Sequence, residues 1–228
     1  MNTLPSAIIK LSWKVDSLGN PRDGASAAIG GIASSAFTLS SGTVLTASHN
    51  FERLLSHPHT GFDNHAVWIA HPNGECHPLT EASVRHFTGF DIAALDCPPS
   101  VQPFVASETP YGDIQFGVCL GYRASTSPFR VVIKGKHLTI SDLDLNSAVL
   151  PFPPTAVEHK MLHIRAADLA IDSKRGFLLK HPSTVGVSGG PMLDPADGSA
   201  IAVCCFGFPP DAHEKHAIGT VDLRDLPL

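Results

Sequence analysis

Apolar residues along this chain come in short runs, broken every few positions by Gly, Pro, Ser or Asn. "AIIKLSWKV", "SAFTLS", "TVLTAS", "AVWIAH", "FGVCLGY", "FRVVIKG", "KHLTIS", "GFLLKH" and "AIAVCCFGF" are rich in Val, Ile, Thr and Phe, and each has the length of a strand. Long amphipathic helices are hard to find. Nineteen prolines and nineteen glycines spread through the sequence strengthen that reading, because both residues interrupt helices and mark turns. The pattern predicts an all-β barrel or sandwich. Prolines and polar turn residues concentrate in "DCPPSVQPFVASETPYGD" (96–113), as in a connector between two half-structures. This places a boundary near residue 109, between units at 1–108 and 109–228.

Composition narrows the picture. At 228 residues the chain is long enough to bury a substantial core. Hydrophobic residues make up 43%, charged residues 16%, and the net charge is -5, which disfavours both disorder and a nucleic-acid-binding surface. The longest apolar run, "AIAVCCFGF", falls short of the roughly 18 residues of a membrane span. The first residues do not have the form of a secretory signal, so Met1 is expected to be the mature end. Five cysteines (Cys76, Cys97, Cys119, Cys204 and Cys205) are an odd number without zinc-site spacing, and they read as reduced thiols of a cytoplasmic protein. A vicinal Cys204–Cys205 bridge is the alternative to two small strand residues packing on opposite faces.

Three segments carry candidate chemistry. "TVLTASHNF" holds His49 just after a predicted strand, "GFDIAAL" holds Asp91, and "VGVSGGPM" holds Ser188 in a glycine-rich loop. A serine hydroxyl is a poor nucleophile until a base takes its proton. That base needs a carboxylate to hold its tautomer and stabilise its cation. Gly186 permits a backbone turn, and the N–H groups of Gly186 and Ser188 are candidates for an oxyanion hole. The three side chains are spread over both predicted halves, as a site in a cleft between them requires.

On "TASH", "DIAAL" and "GVSGGP" the chain resembles the chymotrypsin and trypsin family, whose motifs read roughly T-A-A-H, D-I-A-L and G-D-S-G-G-P. "GYRA" (121–124) sits where that family opens its second barrel, and "CCFG" (204–207) resembles its substrate-binding strand. The extreme N-terminus, 52–80 and 134–175 lie outside the resemblance. It implies two six-stranded antiparallel β-barrels with the active site between them. His49 would be the general base, Asp91 its orienting carboxylate and Ser188 the nucleophile. It further implies a primary pocket with Pro182 and Ser183 at its base and the Cys205–Phe206–Gly207 strand as its wall. No carboxylate is expected there, so a small or apolar acyl-side residue is favoured over Lys or Arg.

Val187 departs from the family's secreted members, which carry an aspartate before the serine to pair with an amino terminus freed by cleavage. The "IVGG"-like end is missing too, and Asn50 stands where those members place a cysteine. Intracellular and viral branches, including high-temperature-requirement-like peptidases, resemble this chain in lacking the aspartate. The resemblance thus implies a serine endopeptidase that needs no activation, metal or cofactor and acts on a peptide or protein substrate. An ester or thioester hydrolase of a small acyl substrate, and a non-catalytic peptide-binding protein with a collapsed oxyanion hole, remain as alternatives. The histidines between 57 and 86 and the "HEKH" run (213–216) match no zinc signature, and they are expected in exposed loops and turns.

Overall fold

The computed structural model describes residues 3–22, 26–87, 90–122, 124, 130–134, 137–141, 149–151, 162–165, 175–180, 186–208 and 217–228. Its architecture is β throughout. The one α-helix among these residues, α1 (His49–Leu54), has six residues.

Seven strands form the first sheet: β1 (Ser6–Trp13), β2 (Ala28–Thr38), β3 (Val44–Ala47), β4 (Asn64–Ala70), β5 (Cys76–Leu79), β6 (Val84–His86) and β7 (Ile92–Leu95). Their antiparallel order is β5-β4-β1-β2-β3-β7-β6. The two edges, β5 and β6, are consecutive in sequence and joined only by Thr80 and a 3-10 turn at Glu81–Ser83. A flat sheet would hold these edges six strand spacings, or about 29 Å, apart. Leu79 to Val84 can stretch to no more than about 18 Å. The sheet of seven strands therefore curls, which brings its two edge strands, β5 and β6, near one another.

The second sheet contains β8 (Val118–Tyr122), β11 (Val149–Pro151), β12 (Leu162–Arg165), β13 (Arg175–Lys180), β14 (Pro191–Leu193), β15 (Ala200–Phe208) and β16 (Ala217–Asp222), in the order β11-β8-β14-β15-β16-β13-β12. A separate hairpin pairs β9 (Arg130–Lys134) with β10 (His137–Ser141).

Alternation along the strands sorts side chains between the barrel interior and the seam. Ile8, Ala36, Val44, Val67, Ile69 and Leu95 fill the first barrel, joined by Phe51 and Leu54 of α1, three residues apart on one helical face. The opposite faces carry Phe37, Leu45, Ile92 and Ala94, which pack on Ala200, Val203 and Cys205 of the second sheet. Both faces of β1 are covered, because Ala7, Ile9 and Leu11 pack with Tyr122 of β8. That is why "AIIKL" runs almost continuously apolar. Cys204 and Cys205 face opposite ways, Cys204 into the second core and Cys205 into the seam. All five cysteines are free thiols.

The proline-rich segment expected to be a connector is stitched to both sheets. Phe104 bridges Leu39 and Ala106 bridges Ala200, each in parallel sense. Phe104 N–H donates to Thr38 O at 2.8 Å, and Ser107 N–H donates to Ala200 O at 2.7 Å. Edge-to-face packing of Phe37 on Phe104, with centroids 5.9 Å apart, fills the space between.

Several histidines of the 57–86 region are structural. His71 is fully buried. Its Nδ1 accepts from Ser6 Oγ at 2.7 Å and its Nε2–H donates to Pro98 O at 3.0 Å, tying β1 to the connector through a neutral ring. Among the described residues no three His, Cys, Asp or Glu side chains gather as a metal would require. The "HEKH" run lies outside the described residues.

Burial pushes the His71 pKa down from 6.5. The unfolded chain then binds this proton more readily than the folded one, so stability rises with pH. The contribution is complete above about pH 6.5 and is lost as the pH falls below it, by up to about 1.4 kcal/mol per unit. Urea unfolding between pH 7.5 and 5.5 should show this slope, and His71→Gln should flatten it while lowering stability throughout.

Candidate active site

Antiparallel pairing of β3 with β7 opposes Ala47 to Ile92, so the residues just past one strand lie beside those just before the other. His49 and Asp91 meet there because of that register. Ser48 N–H donates to Asp91 O at 3.1 Å. The Asp91 carboxylate then grips His49 twice, taking its backbone N–H on Oδ1 at 2.8 Å and its ring Nδ1–H on Oδ2 at 2.6 Å. A carboxylate can only accept, so Nδ1 carries a proton, and in the neutral ring the lone pair is then on Nε2. Asp91 is largely shielded, at 16% side-chain exposure, while the His49 ring is open to solvent at 44%. The ring is thus held at its shielded end and open to solvent at the other.

Ser188 lies in the turn before β14, and its backbone is held from the first barrel. Its carbonyl accepts from Ser35 N–H at 3.0 Å and from Asn50 Nδ2–H at 3.5 Å. Asn50 follows His49 directly, so this contact brings the serine loop to the histidine. Within the loop, Gly190 N–H donates to Val187 O at 2.9 Å. Gly189 N–H donates to Cys204 O at 2.6 Å, and Cys204 N–H returns to Gly190 O at 2.9 Å. The Val187 carbonyl and the Ser188 N–H belong to one trans peptide and point oppositely. With the carbonyl engaged, the Ser188 N–H is directed away from Gly190. Among the described residues neither that amide nor the Gly186 amide finds an acceptor. Two such donors are what a developing oxyanion requires.

Glycine is required by position in this loop. Gly186 has φ +106° and Gly189 has φ +87°. A Cβ on Gly189 would fall 2.1 Å from Ser35 O and 2.3 Å from Thr46 Oγ1, and one on Gly190 would fall 2.1 Å from Leu120 O.

Val187 is buried among Ile114, Cys119, Met192, Ile201, Ala202 and Cys204. Its side chain anchors the loop to the second core, a burial that stabilises by about 1.5–3 kcal/mol. A carboxylate in that surrounding would be strongly disfavoured without a paired cation.

Compared by sequence, the chain matches no family model and no curated protein. Solved structures do match. The HtrA-type protease AlgW with a decapeptide aligns at a TM-score of 0.55 and 15% identity, over 97% of this chain and 61% of that one. The same protease with a tripeptide aligns at 0.50 and 15%, over 96% and 56%. The fold is chymotrypsin-like. This chain spans about three-fifths of the length of those structures.

In that chymotrypsin-like frame the expected pocket residues fall as follows. Cys205 is fully buried in the seam, and its Sγ–H donates to Val203 O at 3.3 Å. Phe206 and Gly207 follow on β15, past an irregularity in its pairing with β16 between Cys204 and Phe206. Pro182 and Ser183 lie outside the described residues. Of the neighbours Ser35, Asn50 and His86, the sequence did not single out Ser35 or His86 as belonging to the site. His86 Nδ1 is bonded to Ser48 Oγ, beside the catalytic candidate rather than in a detached loop. Only Asn50 had a signal, its place next to His49.

Gly189→Ala should cost several kcal/mol, because strain at positive φ adds to a clash with backbone. Urea unfolding should show a lower midpoint. Any folded fraction should react more slowly with a fluorophosphonate.

Proposed function

We propose that the chain is a trypsin-like serine hydrolase, an endopeptidase that works through an acyl-enzyme without proteolytic activation. The observation that carries this reading is the double grip of Asp91 on His49, beside a serine loop whose Gly186 and Ser188 amides lack described acceptors. In acylation, the Ser188 Oγ–carbon bond forms while the proton passes from Oγ to His49 Nε2. The Gly186 and Ser188 amides hold the negative oxygen, and His49 gives its proton to the departing amine as the carbon–nitrogen bond breaks. Water then attacks the acyl carbon with His49 again as base, the Ser188 Oγ–carbon bond breaks to release the acid, and His49 returns the proton to Oγ. Each oxyanion donor is worth about 3 kcal/mol in the barrier.

Activation by a new amino terminus has no role in this reading, since Val187 is already packed in the core. Units at 1–108 and 109–228 would face each other across the cleft. Pro182 and Ser183 would form the base of the primary pocket with the Cys205–Phe206–Gly207 strand as its wall, admitting a small or apolar side chain. Peptide is favoured as substrate because a protease of the same fold is described with a decapeptide bound. The five free thiols suit a reducing compartment such as the cytoplasm. Among the described residues no helix is long and apolar enough to cross a membrane.

Intact mass after treatment of the uncleaved protein with a fluorophosphonate should show one adduct on wild type and none on Ser188→Ala or His49→Ala. A folded wild type that stays unmodified would overturn the reading. Denatured casein should be cut as well, whereas turnover of activated esters alone would make the enzyme an esterase. Asp91→Asn should lower kcat by about 10⁴-fold, because the ring then loses the acceptor that keeps its proton on Nδ1.

A further inference from the structure

Val187 leaves open what orients the amides of the serine loop, and the geometry points to Ser35. We propose that Ser35 is a positioning residue for the oxyanion hole, setting the peptide planes on either side of Ser188 from within the first barrel. This rests on the hydrolase reading above and adds to it a residue that motif comparison does not single out.

Ser35 is fully buried in β2. Its neighbour Ser34 is buried too, yet among the described residues the Ser34 hydroxyl has no hydrogen-bond partner, whereas the Ser35 hydroxyl has two. Ser35 Oγ accepts from Tyr122 N–H at 2.7 Å and donates to Gly186 O at 2.9 Å. Ser35 N–H donates to Ser188 O at 3.0 Å, and Ser35 O accepts from Thr46 Oγ1 at 2.7 Å. One residue thus takes the carbonyls of Gly186 and Ser188, which flank the peptide that presents the Ser188 amide. The Gly186 carbonyl is pinned at a residue whose φ of +106° is one that glycine adopts without strain.

The hydroxyl is itself confined. A Cβ on Gly121 would lie 2.8 Å from Ser35 Oγ and 3.0 Å from Val187 Cα, so β8 presses the hydroxyl against the loop. The Tyr122 amide occupies its acceptor side, which leaves the hydroxyl proton for Gly186 O. A satisfied structural serine would need only one such bond. Here both of its bonds converge with its backbone N–H on the loop that carries the nucleophile and the strand that backs it.

The test compares Ser35→Ala and Ser35→Cys with Ser34→Ala and Thr38→Val. Cysteine keeps the volume but is a weak donor. Thr38→Val removes a buried bond of the same strand, Ser100 N–H to Thr38 Oγ1 at 2.9 Å, that does not touch the loop. Rates of fluorophosphonate adduct formation and of p-nitrophenyl acetate hydrolysis would be measured on folded protein. Ser35→Ala and Ser35→Cys should lower kcat and the adduct rate by about 10- to 100-fold, below the loss for a direct oxyanion donor, with KM changed less than about threefold. Ser34→Ala and Thr38→Val should stay near wild type. The proposal is overturned if Ser35→Cys keeps the wild-type adduct rate, or if its kcat loss is matched by Thr38→Val. A rise in KM alone would overturn it too. Absence of an adduct on wild type would instead remove the hydrolase reading, and this one with it.

Discussion

Backbone of the serine loop touches backbone of the first barrel with no side chain between them, and the rest of the site depends on that contact. Gly189 lies where any Cβ would strike Ser35 O and Thr46 Oγ1, while Gly190 does the same against Leu120 O and Gly121 against Ser35 Oγ. Three glycines without room for a methyl group bring β2, β8 and the loop within hydrogen-bond range. Ser35 then uses that range, with its N–H on Ser188 O and its hydroxyl on Gly186 O. The contact is specific because close packing and buried polar groups both penalise a slip.

From the other side the loop is held by apolar packing. Val187 enters the second core beside Cys119 and Cys204, whose sulfurs lie 3.1 Å apart as thiols. Gly189 N–H and Gly190 O both bond to the Cys204 backbone, which fastens the loop to β15. An ion pair in that place would bring a desolvation cost and a dependence on a charged partner. A valine brings neither, and its burial forms as the chain folds.

The seam is also closed outside the site. The connector pairs with Leu39 on one sheet and Ala200 on the other, and His71 bonds β1 to the connector at Pro98. Such a strap makes the position of the His49 edge relative to the Ser188 loop a property of the whole fold. That edge needs little support of its own, since the register of β3 on β7 alone brings Asp91 to His49.

Local pattern was enough to indicate strands, because apolar runs bounded by glycine and proline determine where the chain can extend and turn; β3, β8 and β15 fall within such runs, and β1 overlaps one. "TASH", "DIAAL" and "GVSGGP" likewise carried the candidate chemistry, since residue type and order are sequence properties. Short edge strands such as Val84–His86 had too few residues to show a period. The curl of the first sheet and the stitching of the connector were settled by pairing between distant segments. Ser35 looked like any serine in a strand. Its role arises from Gly186, 151 positions away, and from Tyr122, 87 positions away, and only the folded seam brings those groups to its hydroxyl. Chemistry carried by single residues can be read along the chain, whereas the orientation of peptide groups belongs to the contacts that hold them.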